Sequence, residues 1–219
     1  MTEKPRLTIA SLKEYAGDFC EALGNLAIPQ LFGATDGKAV GTFVELAFTE
    51  HLAKRFAFTP GNAASGIDFP TLQVDLKVTS AKQPQSSSPF RNATQKVYGL
   101  GYHLLVFVYE KSDNSKEKVA RLRIARAVFI DSTRTADYQT TAGIRELLSR
   151  RANVDDIDGF LEDRQLPVDE SGRRRLAERI IQEPPVQGVL TISNALQWRL
   201  QYGRALTVAG SETGVDRIV

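Results

Sequence analysis

The sequence predicts an α/β protein with a helical C-terminal region, and three observations carry that prediction. Val74, Leu76 and Val78 alternate with Asp75, Lys77 and Thr79, the period of two of a strand. Residues 104–109, Leu-Leu-Val-Phe-Val-Tyr, form an apolar run with the β-branched and aromatic character of a strand buried on both faces. Apolar residues at helical spacing precede the first strand and dominate after residue 141.

In chain order, residues 10–27 repeat apolar at Leu12, Tyr15, Ala16, Phe19, Leu23 and Leu26, which predicts a helix with Ser11 as its cap and Pro29 closing it. A Gly/Asp-rich segment, 33–37, leads into a second helix over 38–56, with Val40, Phe43, Val44, Ala47, Phe48 and Leu52 as its buried stripe and Glu45 on the flank. Residues 59–65, rich in Gly, Asn and Ala, connect to a hairpin at 66–77 that turns near Pro70. A polar stretch at 81–92 follows, then a helix over 92–103, the buried strand 104–109, a polar turn at 111–118 and a strand over 119–131 with Arg121 and Arg123 outward. Helices are expected at 144–152, 155–161, 170–181 and 193–205, interrupted at Pro167, Pro184 and Pro185. The expected organisation is a core at 1–140 and a helical region at 141–219 packed on it as one domain.

The chemistry gathers at the hairpin. Its turn carries Asp68 back beside Asp75, so two carboxylates converge next to the Lys77 ammonium. Such a set suits a hard cation such as Mg²⁺, which takes one or two carboxylates, keeps several waters and shares its other positions with phosphate oxygens.

Asp68, Asp75 and Lys77 resemble the signature of the PD-(D/E)XK nucleases, an aspartate, a spacer and then acid-any-lysine. Ile67 stands where that signature usually has proline, and aspartate at position 75 has a shorter reach than glutamate; neither departure removes a ligand. The resemblance implies a restriction-endonuclease-like core, a mixed central sheet flanked by helices. It further implies Asp68 and Asp75 as Mg²⁺ ligands, Lys77 as the group that orients or deprotonates the attacking water, and an acid from the preceding helix, Glu45 in preference to Glu50. Compactness and the lack of a motor domain make the match most similar to a type II restriction endonuclease, which implies double-stranded DNA as partner and a homodimer. Two alternatives stand beside it, a repair or mobile-element nuclease that reads DNA structure, and a catalytically silent DNA-binding protein.

Groups suited to phosphates and base edges lie in the polar stretch, at Lys82, Gln83, Gln85, Ser87, Arg91 and Asn92, with Gln95 and Lys96 as secondary candidates on the next helix. Asn194, Gln197, Arg199, Gln201 and Arg204 offer a second set on the last expected helix, which would serve equally for dimerisation. Arg173, Arg174 and Arg175 form the kind of run that is usually a solvated face.

Other classes are disfavoured. The 219 residues are 42% hydrophobic and 25% charged, ordinary for a soluble protein, and no apolar run approaches membrane-spanning length. Cys20 is the single cysteine, which excludes an internal disulfide and fits a reducing cytoplasm. His51 and His103 stand at neither metal-ligand nor catalytic spacing, and no phosphate-binding Gly-rich loop points to a nucleotide cofactor.

Overall fold

The first helix, α1 (Ile9–Gly24), is capped by Thr8 rather than Ser11. The Thr8 hydroxyl accepts from the Ser11 N–H at 3.2 Å, and the Ser11 hydroxyl accepts from the Thr8 N–H at 3.0 Å, so two backbone donors are satisfied reciprocally. The computed structural model describes residues 3–61, 66–192 and 199–219. Among them the other helices are α2 (Gly37–Ala53), α3 (Ala93–Tyr98), α4 (Tyr138–Ser149), α5 (Val154–Asp163), α6 (Glu170–Gln182) and α7 (Gly203–Val208). The strands are β1 (Val74–Ser80), β2 (Gln85–Ser87), β3 (His103–Asn114), β4 (Val119–Ile130), β5 (Arg199–Gln201) and β6 (Val215–Arg217).

Two units interleave along the chain, one formed by Met1–Pro84, Leu104–Phe129 and Ala209–Val219, the other by Gln85–His103 and Ile130–Val208. The segment 141–219 therefore contributes to both.

The first unit holds a mixed central sheet in the order β1-β3-β4-β6, flanked by α1 and α2. β3 buries Leu104, Val106 and Val108 on one face and Leu105, Phe107 and Tyr109 on the other, as its continuous apolar run requires. β4 alternates buried Ala120, Leu122 and Ile124 with exposed Arg121 and Arg123, and lies between β3 and β6 rather than at an edge. The core joins α1, α2 and the sheet through three rings: Phe19 and Phe48 lie 5.1 Å apart, Phe48 and Phe107 5.2 Å, and Phe19 and Phe107 5.8 Å. Cys20 sits in this core, where burial pushes its thiol up to about 12 and leaves it inert.

In the second unit, α3 ends well short of residue 103. Gly99 and Gly101 take φ of +93° and +85°, outside the helical region, and a side chain at Gly99 would meet the Ser132 carbonyl at 2.8 Å. Helices α5 and α6 pack together, and the arginine run is more than a solvated face: Arg173 binds Asp158 at 3.0 Å and Arg174 binds Asp155, both across this helix pair. The helix expected over 193–205 is corrected. Residues 193–198, with Asn194 and Gln197, lie outside the described residues; 199–201 are β5, which pairs with β2, and α7 begins only at Gly203. Among the described residues no helix is long and apolar enough to cross a membrane.

Phe107 links both helices to the sheet, so Phe107→Ala is expected to destabilise the protein by about 3–5 kcal/mol through lost contacts and a residual cavity. Urea unfolding followed by circular dichroism measures it, and a loss below about 1 kcal/mol would show that the ring cluster is not the keystone of this core.

Candidate active site

The turn that brings the acids together is built from backbone chemistry. Phe69 and Val74 exchange hydrogen bonds, Phe69 N–H to the Val74 carbonyl at 2.9 Å and the reverse at 3.2 Å. Pro70–Leu72 form one 3-10 turn between them, and Gln73 takes the left-handed conformation at φ +52° to complete the reversal. Asp68 is thereby set against β1, and one of its carboxylate oxygens accepts from the Leu76 N–H at 2.7 Å. Gly61 supports it from behind. Its N–H donates to the Asp68 carbonyl at 2.7 Å, and a side chain there would sit 1.9 Å from the Ile67 carbonyl oxygen. In the sequence only the Pro60-Gly61 pair marks this position.

On β1, Val74 and Leu76 enter the core while Asp75 and Lys77 share the opposite face. Asp75 is 3% exposed, and its carboxylate lies 2.7 Å from the Lys77 ammonium. Burial pushes Asp75 up to about 7; the Lys77 charge opposes this, and a hydrogen bond with the Asp68 carboxyl reinforces it. Two carboxyls in such contact are held by a shared proton or by a cation. Glu45 on α2 joins the same electrostatic neighbourhood: its pKa is raised by burial first and by the Asp68 charge second, with Lys77 opposing. Glu50 is exposed to solvent. The structure thus brings together Asp68, Asp75, Lys77 and Glu45.

The residues expected to touch DNA divide. Lys82 and Gln83 are exposed in the turn after β1, where the Gln83 N–H donates to the Ser80 carbonyl at 3.2 Å. Gln85 and Ser87 lie on β2, and Arg199 is exposed on β5. Arg91 is exposed, but Asn92 and Gln95 are engaged at the start of α3, Asn92 Oδ1 accepting from the Gln95 N–H at 2.9 Å and Gln95 Oε1 from the Arg91 N–H at 2.7 Å. Lys96 is corrected outright. It is 0% exposed, burial lowers its pKa, and the nearby Asp137 charge opposes that shift, so it is a core cation and not a phosphate contact. Spaced three and four residues apart on α3, Ala93, Lys96 and Val97 share its inner side. Arg204 spreads over the Tyr138 ring at 3.6 Å.

The mixed central sheet flanked by helices is a restriction-endonuclease-like fold. A family model described as type II restriction enzyme NspV matches residues 6–217. The type II restriction enzyme NspV of Nostoc sp. (strain ATCC 29411 / PCC 7524) is 53% identical over 209 residues, 95% of this chain and 95% of that protein. The chain belongs to the NspV family of type II restriction enzymes. It is a site-specific deoxyribonuclease whose substrate is double-stranded DNA. No solved structure gives a significant match to the chain.

Membership of this class implies a divalent metal cofactor. Among the described residues no group of three or more His, Cys, Asp or Glu side chains is assembled as a ready metal site. The acid pair nevertheless fits a hard cation that takes only one or two protein carboxylates: all its donors are oxygens, and the like charges held in contact call for a positive charge between them.

The raised Asp75 pKa sets a pH dependence. Above the ordinary carboxylate value of 3.8 the unfolded chain loses this proton while the folded protein keeps it to about 7, so folding stability from this group falls across that window and levels off above it. A cation must displace the same proton. Mn²⁺ affinity measured calorimetrically without DNA is therefore expected to weaken by about tenfold per pH unit below 7. An affinity that stays flat between about pH 5.5 and 8 would place the cation elsewhere.

Proposed function

We propose that this restriction enzyme is a Mg²⁺-dependent endonuclease that hydrolyses phosphodiester bonds at the site formed by Asp68, Asp75, Lys77 and Glu45, and that it acts as a homodimer. The observation that carries the reading is that Asp68, held to β1 by the Leu76 N–H at 2.7 Å, converges on Asp75, whose carboxylate lies 2.7 Å from the Lys77 ammonium. Asp68 and Asp75 hold the metal, and Glu45 adds a ligand or holds a water. Mg²⁺, when bound, supplies a water of lowered pKa and offsets charge on the scissile phosphate. Lys77, tethered 2.7 Å from Asp75, orients the attacking water or takes its proton. The Leu76 N–H, 2.7 Å from an Asp68 carboxylate oxygen, holds that side chain against β1. Cleavage of both strands at a symmetric sequence calls for two such sites related by a two-fold axis, which supports the dimer. The buried, single cysteine is compatible with action in a reducing cytoplasm.

Asp75→Ala and Lys77→Ala are each expected to lower cleavage by at least about a hundredfold while the fold survives, because the apolar face of β1 is untouched. Plasmid and phage DNA digested with Mg²⁺ test the whole reading: discrete fragments from intact duplex support it, whereas cleavage confined to junctions or flaps, or a folded variant that cuts at the wild-type rate, refutes it. Ca²⁺ is expected to support specific binding with little cutting, and excess EDTA to abolish cutting. Activity unchanged in EDTA would remove the metal from the mechanism.

A further inference from the structure

We infer that the two-stranded ribbon of β2 and β5 reads the DNA sequence, with Gln85, Ser87, Arg199 and Gln201 contacting base edges from one of its faces. The inference rests on the proposed function and assigns the specificity of that same reaction.

The register makes the face. The strands are antiparallel, with Gln85 opposite Gln201, Ser86 opposite Leu200 and Ser87 opposite Arg199. Directly opposed residues share a face, as do residues two apart on one strand, so Gln85, Ser87, Arg199 and Gln201 all project to the same side. That side is the outward one: Ser87, Arg199 and Gln201 are exposed and Gln85 is half-buried. The other side is fastened. Leu200 is fully buried, and the Ser86 hydroxyl lies 2.6 Å from the hydroxyl of the equally buried Tyr202. The far edge of β5 is held as well, with the Gln201 N–H donating to the Thr191 carbonyl at 2.8 Å and the Thr191 N–H donating back at 3.2 Å. A face so secured presents its side chains in a fixed arrangement, which is what discrimination between bases requires.

The chemistry of the face fits the major groove, which admits a two-stranded ribbon. Each glutamine amide combines donor and acceptor in the spacing of adenine N6 and N7, the Arg199 fork matches guanine O6 and N7, and the Ser87 hydroxyl serves either partner. None of the four is an acid that phosphates would repel. A ribbon edge kept merely soluble requires charge, commonly lysine, and does not require amides paired across the strands. Four other polar candidates are less suited to base edges: Asn92 and Gln95 are engaged at the start of α3, Lys96 lies in the core and Arg204 lies over Tyr138. Gln85 also follows Lys77 by only eight residues in the chain.

The test is competition binding of the full-length enzyme in Ca²⁺ between duplexes carrying the cleaved sequence, mapped from wild-type digests, and scrambled duplexes. Gln85→Ala, Arg199→Ala and Gln201→Ala are each expected to lose roughly ten- to a hundredfold of the preference for the cleaved sequence, with non-specific, salt-sensitive binding changed less than about threefold. Gln85→Glu and Gln201→Glu keep the side-chain shape, and folding of each variant is checked by its melting temperature. Folded variants that keep full preference overturn the inference, and so do variants that lose specific and non-specific binding in equal measure, which is the mark of a phosphate contact. These outcomes leave the proposed function standing if the wild-type enzyme cuts at discrete sites. Failure of the wild-type enzyme to cut duplex DNA overturns the proposed function and the reading role with it.

Discussion

Two carboxyls held in hydrogen-bond contact beside a single ammonium is the constraint on which the site depends. In water two carboxylates would separate, and burial makes their joint ionisation harder still. Here neither can leave. Asp75 is fixed by its place on β1, and Asp68 is fastened to the same strand by the Leu76 N–H at 2.7 Å. Burial outweighs the Lys77 charge, and the Asp68 carboxyl adds to it, so Asp75 rises to about 7 instead of falling as an ordinary salt-bridged aspartate would. The protein therefore carries an arrangement that is poor for stability and useful for holding a metal, the kind of local conflict expected at a functional site.

That conflict is sustained by the face of β1 directly behind it. Val74 and Leu76 belong to the core that Phe19, Phe48 and Phe107 knit together, so the strand cannot twist to relieve the charged face without withdrawing apolar residues from that core. α2 couples the two requirements, placing Val44 and Phe48 in the core and Glu45 on its flank within reach of the charges of Asp68 and Lys77. β1 stands at the end of the sheet order, and its beginning is closed by the Phe69–Val74 exchange instead of a further strand. The reversal that delivers Asp68 thus also protects the start of an edge strand.

Whatever depended on local periodicity was legible in the sequence. The β1 alternation, the apolar run of β3, the stripes of α1 and α2 and the spacing of Asp68, Asp75 and Lys77 all lie within short windows, and turn residues mark where they end. What failed was decided by contacts distant in sequence. The periodicity of α3 predicts a longer helix, yet Gly99 packs against Ser132 and stops it, while Lys96 turns inward on the face it shares with Ala93 and Val97. The demand on Gly61 comes from the carbonyl of Ile67, an approach that the Pro60-Gly61 pair alone does not reveal.

The segment after residue 192 shows the same limit most clearly. Arg199 and Gln201 sit at polar positions of a pattern that fits a helix, and three residues are too few to display a strand's alternation convincingly. Only a partner strand makes β5 what it is, and that partner begins at Gln85, more than a hundred residues earlier in the chain. Read separately, the polar stretch after β1 and the C-terminal polar residues compete for one role. Paired in register, they supply alternate members of one face, so the question of which segment meets the DNA gives way to the chemistry of a single surface that neither segment contains alone.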